Sequence, residues 1–467
     1  MKYIEIRNMI IRNGFIALPG EDKLIKMSII VRDGKIVEIG DMPAIDKEII
    51  EAEGFYVLPG VVDAHVHFNT PGFEIREDFY HGSCFAASGG ITTVIDMPCT
   101  SLPPVTTLSN LKIKLSVVKK QSVVDYAFYG GVNGNDLGNF RSKMRELAPY
   151  VAGFKCYLKS EMESFGSVSY EQLTEILKMS REVGLPVLLH AKDKALIDKA
   201  EARERKRGAS AANYYRSRPG LAEIIAVRKT AKLAQKTGAD LHIVHISTSD
   251  GAMAAKRNGA TVETCPHYLV FSLVDFGKQG SILKVAPSLK LGKREKLWKL
   301  VRKDVISFIT SDHAASRLQD KNTGSIWTDY GGITGSGMLL LYMYSEGYKK
   351  KRIGLRKLVE LLCEKPAERF GLSDRKGKIA VGMDADFVII DPSGEMKVRG
   401  ADFLSKGKIS PFEGKIFEGK ILKTIRQGEI IYDSEQGITA KAGSGEFLGD
   451  RGGDLRITGK DGGDNEL

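Results

Sequence analysis

Residues 60–68 read GVVDAHVHF, an apolar run that carries two histidines at its end. A run that is apolar at nearly every position is typical of a parallel strand buried on both faces. Residues two apart on a strand point to the same side, so His65 and His67 are expected to face one point. The stretch therefore predicts a buried strand that supplies two candidate metal ligands.

Seven further apolar runs follow, and longer amphipathic stretches separate them. The runs are TTVIDMP (92–98), VDYAFYGGV (124–132), VAGFKCYL (151–158), PVLLHA (186–191), LHIVHIS (241–247), ATVETCPH (260–267) and VISFITSDH (305–313). Short apolar strands that alternate with helices are typical of a parallel α/β sheet. Eight such strands over residues 54–376 predict an α/β protein built on a (β/α)8 TIM-like barrel.

The two ends of the chain have a different pattern. Residues 1–53 and 377–436 contain short alternating strands, and we expect them to pair into one small β-sandwich domain beside the barrel. Asp33-Gly34 lies between two apolar alternations and predicts a tight hairpin. Residues 437–467 contain nine glycines and no long apolar run, which predicts a loosely held tail.

Composition excludes several functional classes. No apolar run of the 467 residues approaches the roughly 18 that a membrane span needs, and the start does not resemble a signal peptide. The five cysteines stand singly, which argues for a reducing, cytoplasmic location and against a disulfide framework. The net charge is +11, but the basic residues are dispersed, so we expect neither nucleic-acid nor membrane binding.

Four histidines and one aspartate are found at or near the ends of the apolar runs. They are His65, His67, His190, His245 and Asp312. In a barrel of this kind the catalytic groups come from the carboxyl ends of several strands. Neutral imidazoles and a carboxylate suit zinc and similar divalent ions. The pattern predicts a metal site at one end of the barrel.

Lys155 lies in another apolar run and has two interpretations. It can be an ordinary lysine whose ammonium reaches solvent from a strand end. Alternatively, burial lowers its pKa, and the neutral amine adds carbon dioxide to become a carbamate that bridges two cations.

These residues give the chain a resemblance to a known family. It resembles the amidohydrolase superfamily, in the cyclic-amidohydrolase branch of dihydroorotases, hydantoinases and allantoinases. The resemblance runs from about Leu58 to Tyr432 and depends on the motifs LPGVVDAHVHF, GGITTVIDMP, GFKCYL, LLHA, HIVHIST, ETCPHYL, ITSDHA and GKIAVGMDADFVIIDP. It implies a metal-dependent hydrolase that opens the C–N bond of a cyclic amide or ureide, and an assembly into homodimers or homotetramers.

The resemblance also implies a role for each candidate ligand. His65 and His67 correspond to the ligands of a more buried metal, and His190 and His245 to those of a second. Lys155 corresponds to the carboxylated lysine (N6-carboxylysine) that bridges the two. The last position, Asp312, corresponds to a ligand that also shuttles protons. Zinc is the metal most expected, and cobalt, manganese, nickel or iron would tolerate the same ligands. Non-catalytic scaffold relatives usually lose several of these positions, so the complete set predicts an enzyme.

Within the branch the chain is most similar to allantoinases, which act in purine catabolism. HVHFNTPG, DMPCTSLPPVT, GFKCYL, YYRSRPGLAE and YGGITGSG carry this similarity. Dihydroorotases usually hold the substrate carboxylate with an arginine and an asparagine where this chain has Asn69 and Cys99. Neither residue offers a positive charge, which favours allantoin. The alternatives are a dihydroorotase and a hydantoinase or dihydropyrimidinase-like imidase.

Five residues are candidates for substrate binding: Asn69, Cys99, His267, Ser288 and Lys290. Ser288 and Lys290 belong to APSLK (286–290), which departs from the family pattern, and Lys290 could supply the missing positive charge.

Two further histidines are expected to lie apart from the metals. His242 precedes His245 by three residues, so strand alternation predicts that it faces the opposite way and packs under a helix. His313 follows Asp312 directly and is expected to point away from it.

Overall fold

The computed structural model describes residues 8–41, 48–290 and 294–450. The chain begins with five strands, β1 (Met9–Ile16), β2 (Ile25–Arg32), β3 (Lys35–Gly40), β4 (Ile49–Glu51) and β5 (Tyr56–Pro59). Asp33 and Gly34, with φ of 50° and 75°, connect the antiparallel strands β2 and β3. Two residues with positive φ are what a type I′ hairpin needs, so the predicted hairpin is confirmed.

The eight apolar runs form the barrel. Its strands are β6 (Val61–His67), β7 (Ile91–Asp96), β8 (Asp125–Phe128), β9 (Gly130–Gly131), β10 (Phe154–Tyr157), β11 (Val187–His190), β12 (Leu241–Ile243), β13 (Thr261–Thr264), β14 (Phe308–Ile309) and β15 (His313–Ala314). β8 and β9 are two halves of one interrupted strand, as are β14 and β15. All neighbours pair in parallel, and β15 pairs with β6. The ring is closed, which confirms the predicted (β/α)8 barrel.

Helices cover the outside of this barrel. They are α1 (Phe79–Ser88), α2 (Leu108–Val118), α3 (Phe140–Leu147), α4 (Tyr170–Val183), α5 (Lys194–Arg205), α6 (Ala211–Ser217), α7 (Gly220–Thr237), α8 (Ser249–Arg257), α9 (Pro266–Val270), α10 (Leu273–Gln279), α11 (Arg294–Arg302), α12 (Leu339–Tyr342), α13 (Leu355–Val359) and α14 (Lys365–Arg369). Short 3-10 turns span Pro98–Thr100, Ala148–Tyr150, Gly280–Leu283, Leu318–Lys321, Ser336–Met338 and Gly400–Asp402. Two π-helical segments span Met343–Lys349 and Glu360–Glu364. In the described part of the chain, none of these helices is both long and apolar enough to cross a bilayer.

Both chain ends meet in a second, β-rich domain. The last strands are β16 (Phe387–Lys397), β17 (Ile416–Arg426), β18 (Glu429–Asp433) and β19 (Gly437–Ile438). β16 pairs with β5, so the two ends form one nine-stranded sheet in the order β19-β18-β17-β16-β5-β1-β2-β3, with β4 beside β1. The sheet encloses its own apolar core. Because β5 belongs to this sheet, the barrel begins near Gly60, a few residues later than the expected boundary at residue 54.

The segment from Gly437 to Asp450 differs from the expected loose tail. Its β19 extends the sheet, and the ring of Phe447 lies 5.8 Å from Tyr126 and 5.5 Å from Phe128, centroid to centroid. The carboxylate of Glu446 makes two hydrogen bonds, of 2.9 and 2.7 Å, with the Arg375 guanidinium. The contacts of Phe447 and Glu446 therefore hold this segment in place despite its glycine content. Residues 451–467 of the predicted tail lie outside the described residues.

Candidate metal centre and cavity

The first two candidate ligands come from the end of β6. His65 Nε2 lies 3.2 Å from Asp312 Oδ1, and His67 Nε2 lies 3.6 Å from the same oxygen. Both imidazoles therefore point to one side of the strand, as strand alternation predicts. Asp312 reaches them from the break between β14 and β15, on the strand that closes the barrel.

The second pair of histidines lies against the first. His190, the last residue of β11, places its Nδ1 2.8 Å from His245 Nε2. The His245 ring is 5.5 Å from the His65 ring, centroid to centroid. The structure thus brings together the four histidines and the aspartate that the sequence singled out.

Two of these candidate ligands have unusual backbone conformations. His245 and Asp312 have φ of 41° and 49°, a region that costs a residue other than glycine of order 1–3 kcal/mol. Both follow the last regular residue of their strand, Ile243 for β12 and Ile309 for β14. The left-handed turn redirects each side chain towards the barrel axis, which the alternation of a regular strand does not do.

Lys155 is fully buried beside this cluster, in β10. Its ammonium has no hydrogen-bond partner in the described part of the chain and lies 5.1 Å from the Tyr157 ring centroid. Burial lowers the pKa of Lys155, which favours the neutral amine. The alternative of a lysine that reaches solvent does not agree with this complete burial.

The chemistry of these residues fits divalent metal ions. His65 Nε2, His245 Nδ1 and Lys155 Nζ are buried and lack hydrogen-bond partners among the described residues, so three polar atoms need a further partner. Burial lowers the pKa of His65, His190 and His245, and neutral imidazole is the form that binds metals. Ligand atoms of His65, His67 and Asp312 all lie within 4.8 Å of one another.

Protonation of two ligands depends on their mutual contact. Burial lowers the pKa of His67, but Asp312 and Cys99 outweigh this effect and raise it to about 9. Burial raises the pKa of Asp312, but His65 and His67 hold it below its usual range. Asp312 is therefore ionised at neutral pH, and a metal ion that bound to His67 would have to displace a proton from it.

Glu263 supports the cluster and was missed by the sequence analysis. This buried residue of β13 accepts a hydrogen bond from His65 Nδ1 and a 3.2 Å hydrogen bond from the His245 backbone N–H. Burial raises its pKa, but His65 and His242 hold the value at about 2. A carboxylate on Nδ1 fixes the His65 tautomer that leaves Nε2 free for a metal. A single glutamate inside an apolar run was the signal that could have revealed it.

The prediction for His242 was wrong. Its Nε2 lies 3.1 Å from Glu263 Oε2, and its ring stacks on Phe308 at 5.0 Å between centroids. The residue is thus linked to His65 through a shared carboxylate instead of facing the opposite way, while its ring also packs at 5.9 Å against Phe370, the C-cap residue of α14. Alternation failed here because β12 ends at Ile243, before the turn at His245.

His313 faces away from the candidate metal ligands, as expected. Its Nε2 lies 3.2 Å from Glu77 Oε2, and its Nδ1 accepts hydrogen bonds of 3.2 Å from the backbone N–H groups of Gly335 and Ser336. These contacts hold the side chain of His313 in place, and so restrict the backbone conformation of the adjacent Asp312.

A cavity of about 540 Å³ opens above the candidate ligands. Its lining includes His67, Thr100, Tyr157, Lys159, Ser160, Glu161, Met162, His190, Lys192, Glu201, Arg205, Arg218, His245, Lys284, Val285, Ala286, Asp312, Ala314, Trp327, Thr328, Asp329, Tyr330, Gly331 and Gly332. A cavity of this size can hold a small molecule. The basic residues of this wall, Lys192, Arg218 and Lys284 among them, were not recognised in the sequence. Burial lowers the pKa of Lys192 to about 7 and that of Lys284 to about 8.

None of the five predicted substrate residues is among those lining residues. Asn69 is buried with φ of 59°, and neither atom of its amide has a hydrogen-bond partner in the described part. Cys99 Sγ lies 3.0 Å from the Tyr157 hydroxyl, and His267 forms a group with Asp312 and Cys265 whose ligand atoms are within 4.8 Å.

The two candidates from APSLK contact the protein backbone instead. Ser288 Oγ donates to the Leu289 carbonyl at 3.3 Å. Lys290 donates to the Arg218 carbonyl at 3.0 Å, so its ammonium is used within the cavity wall.

Comparisons with known proteins agree with this arrangement. A model of the amidohydrolase family matches residues 56–431. The chain belongs to the amidohydrolase family. An allantoinase from Rubrobacter xylanophilus is 36% identical over 423 residues, which cover 88% of this chain and 92% of the relative. An Escherichia coli allantoinase is 33% identical over 454 residues, or 94% of this chain and 98% of the relative.

Solved structures of two hydantoinases have the same fold as this chain. The L-hydantoinase (dihydropyrimidinase) of Arthrobacter aurescens superposes with a TM-score of 0.89 at 30% identity, covering 94% of this chain and 99% of that one. The D-hydantoinase of a Thermus species has a TM-score of 0.88 at 26% identity, with 94% and 98% covered. The barrel with its β-sandwich domain is thus the architecture of this family.

Proposed function

We propose that this amidohydrolase opens the C–N bond of a cyclic amide, and that its substrate is allantoin, which is converted to allantoate. The observation that carries the proposal is the convergence of His65, His67, His190, His245 and Asp312 below one cavity. Relatives at 33–36% identity are named allantoinases, which supports the choice of substrate.

The same residues would hold two divalent ions, with zinc the first candidate and cobalt, manganese, nickel or iron the others. Lys155 would join them as a carbamate, since its amine is buried, unpaired and biased towards the neutral form. When bound, such ions lower the pKa of water and polarise a carbonyl group.

Asp312 is the group that we assign to proton transfer. Its carboxylate is ionised, lines the cavity and lies within 4 Å of two ligand imidazoles. It would accept the proton of the attacking water and return it to the leaving ring nitrogen. The His65 tautomer that this arrangement needs is fixed by Glu263.

The structural neighbours named hydantoinases favour hydantoin as the second candidate substrate. Dihydroorotate is a third candidate. Kinetics on metal-loaded enzyme with allantoin, hydantoin, dihydroorotate and dihydrouracil would separate the three. We expect the highest kcat/KM for allantoin. A value for hydantoin or dihydroorotate equal to or above it would contradict the choice of substrate and leave the cyclic-amide hydrolase in place.

We also propose a cytoplasmic location and assembly into homodimers or homotetramers. All five cysteines lie within the described ranges and are free and buried, which agrees with a reducing compartment. Light scattering of the purified protein would give the oligomeric state.

A further inference from the structure

The cavity wall includes a basic residue, Lys192, that lies close in the chain to a candidate metal ligand. Lys192 follows His190, the last residue of β11, by two residues. The next residue, Asp193, caps α5 by accepting a 3.1 Å hydrogen bond from the Leu196 N–H. Its other oxygen accepts a 2.9 Å hydrogen bond from the Tyr170 hydroxyl. The backbone on both sides of Lys192 is therefore anchored, and the side chain lines the cavity.

Other cations of this wall already have partners. The Arg218 guanidinium lies 2.7 Å from Glu161 and 3.0 Å from Glu201. Lys284 donates to the backbone carbonyl oxygens of residues 327 and 329. The positive charge of Arg218 and the hydrogen-bond donors of Lys284 are therefore already paired within the protein.

Lys192 differs from them. Only 5% of the residue is exposed, yet its ammonium makes no hydrogen bond or ion pair within the described ranges 8–41, 48–290 and 294–450. Burial disfavours the charged form of this amine, so an anion in the cavity would both accept its hydrogen bonds and hold it as an ammonium. A carboxylate would be the strongest such acceptor, because hydrogen bonds between two charged groups are about twice as strong as neutral ones.

We propose that Lys192 is a specificity-determining residue that binds an anionic arm on the substrate ring. The cavity would then prefer a cyclic amide whose carboxylate stands on a side arm to the neutral amide of the same size. Dihydroorotate, whose carboxylate is bonded directly to the ring, has no such arm. This inference rests on the proposed function, since it places ring and arm in the same cavity. It extends the substrate class beyond the neutral ureido arm of allantoin, whose carbonyl is a weaker acceptor for Lys192.

A matched pair of substrates tests the inference. Hydantoin-5-acetate and hydantoin-5-acetamide differ in the charge of the arm and hardly in its size. We expect the acid-to-amide ratio of kcat/KM to fall about ten- to a hundredfold in Lys192→Met, as expected for one charge-assisted hydrogen bond. Lys192→Arg should restore part of the ratio. Lys194→Met is the control, because Lys194 is exposed, pairs with Asp198 and is not among the residues that line the cavity.

An unchanged ratio in folded, metal-loaded Lys192→Met would overturn the inference. If that variant does not fold, Lys192→Gln takes its place. Failure of both to fold would show that the lysine supports the structure and would also overturn the inference. Wild-type enzyme that opens neither hydantoin ring nor allantoin would contradict the proposed function instead. In that case the Tm of the protein with each ligand would still test the anion site. The site would be supported if hydantoin-5-acetate raised the Tm more than the amide did and if this effect were lost in Lys192→Met.

Discussion

Replacing Glu263 with glutamine should weaken metal binding without removing a ligand. The carboxylate accepts hydrogen bonds from three donors, His65 Nδ1, the His245 N–H and His242 Nε2. A glutamine amide has only one accepting oxygen, so its NH2 group must face at least one of these donors. His65 Nδ1 and the His245 N–H share Oε1, so a glutamine oxygen in that position would still accept from both, but His65 would exchange a charged partner for a weaker, neutral one.

The expected loss follows from the weaker support of His65. Loss of a group that orients a metal-bound histidine typically costs ten- to a hundredfold in metal affinity. This corresponds to about 1.4–2.7 kcal/mol in the free energy of binding. Competition with a chelator of known affinity, with metal content read by mass spectrometry, would measure the dissociation constants for both ions.

Glu223→Gln is the matched control for this experiment. Glu223 is also a buried carboxylate with several hydrogen bonds, but these come from Ser247 and Thr248. We expect it to lower the free energy of unfolding with a smaller effect on metal affinity. Equal dissociation constants in Glu263→Gln and the wild type would refute the assigned role of Glu263.

Four other outcomes are expected. Lys155→Ala should lose metal and activity together, and short carboxylic acids should partly restore both. Two bound ions per chain in this variant would show that Lys155 is not part of the site. Asp312→Asn should lower kcat by orders of magnitude while circular dichroism stays unchanged, because an amide cannot accept the proton. As the pH is lowered from 9, metal affinity should fall by about tenfold per pH unit, because a proton on His67 competes with the ion. Calorimetry in buffers of different ionisation enthalpy would detect the released proton. Truncation after Glu435 should lower the free energy of unfolding by roughly 2 kcal/mol through loss of the Phe447 contacts, and equal urea midpoints would contradict this.

The barrel and its candidate ligands could be predicted from the sequence because both depend on short-range patterns. Each strand is an apolar run, and a residue at the end of such a run comes to the same edge of the barrel as its counterparts. His65 and His67 needed only strand alternation. The prediction for His242 failed where that alternation ends, at the positive φ of His245, which no periodicity encodes.

The composition of the cavity wall could not be predicted in the same way. Arg218 lies in a loop between helices, and its position depends on its contacts with Glu161 and Glu201. Lys192 lies only two residues from a ligand, but whether its ammonium has a partner depends on packing across the cavity. Partners so distant in the chain leave no local pattern.

The contacts of the last described segment determine when the protein can finish folding. The Glu446 backbone N–H donates to the Asp125 carboxylate across 321 positions of the chain. Strand β5 likewise pairs with β16, which follows more than three hundred residues later. During synthesis at about 5–20 residues per second, the early strands wait tens of seconds for these partners. The nascent chain must therefore keep an unpaired sheet edge until β16 has been synthesised, a stage at which a chaperone would protect it from aggregation.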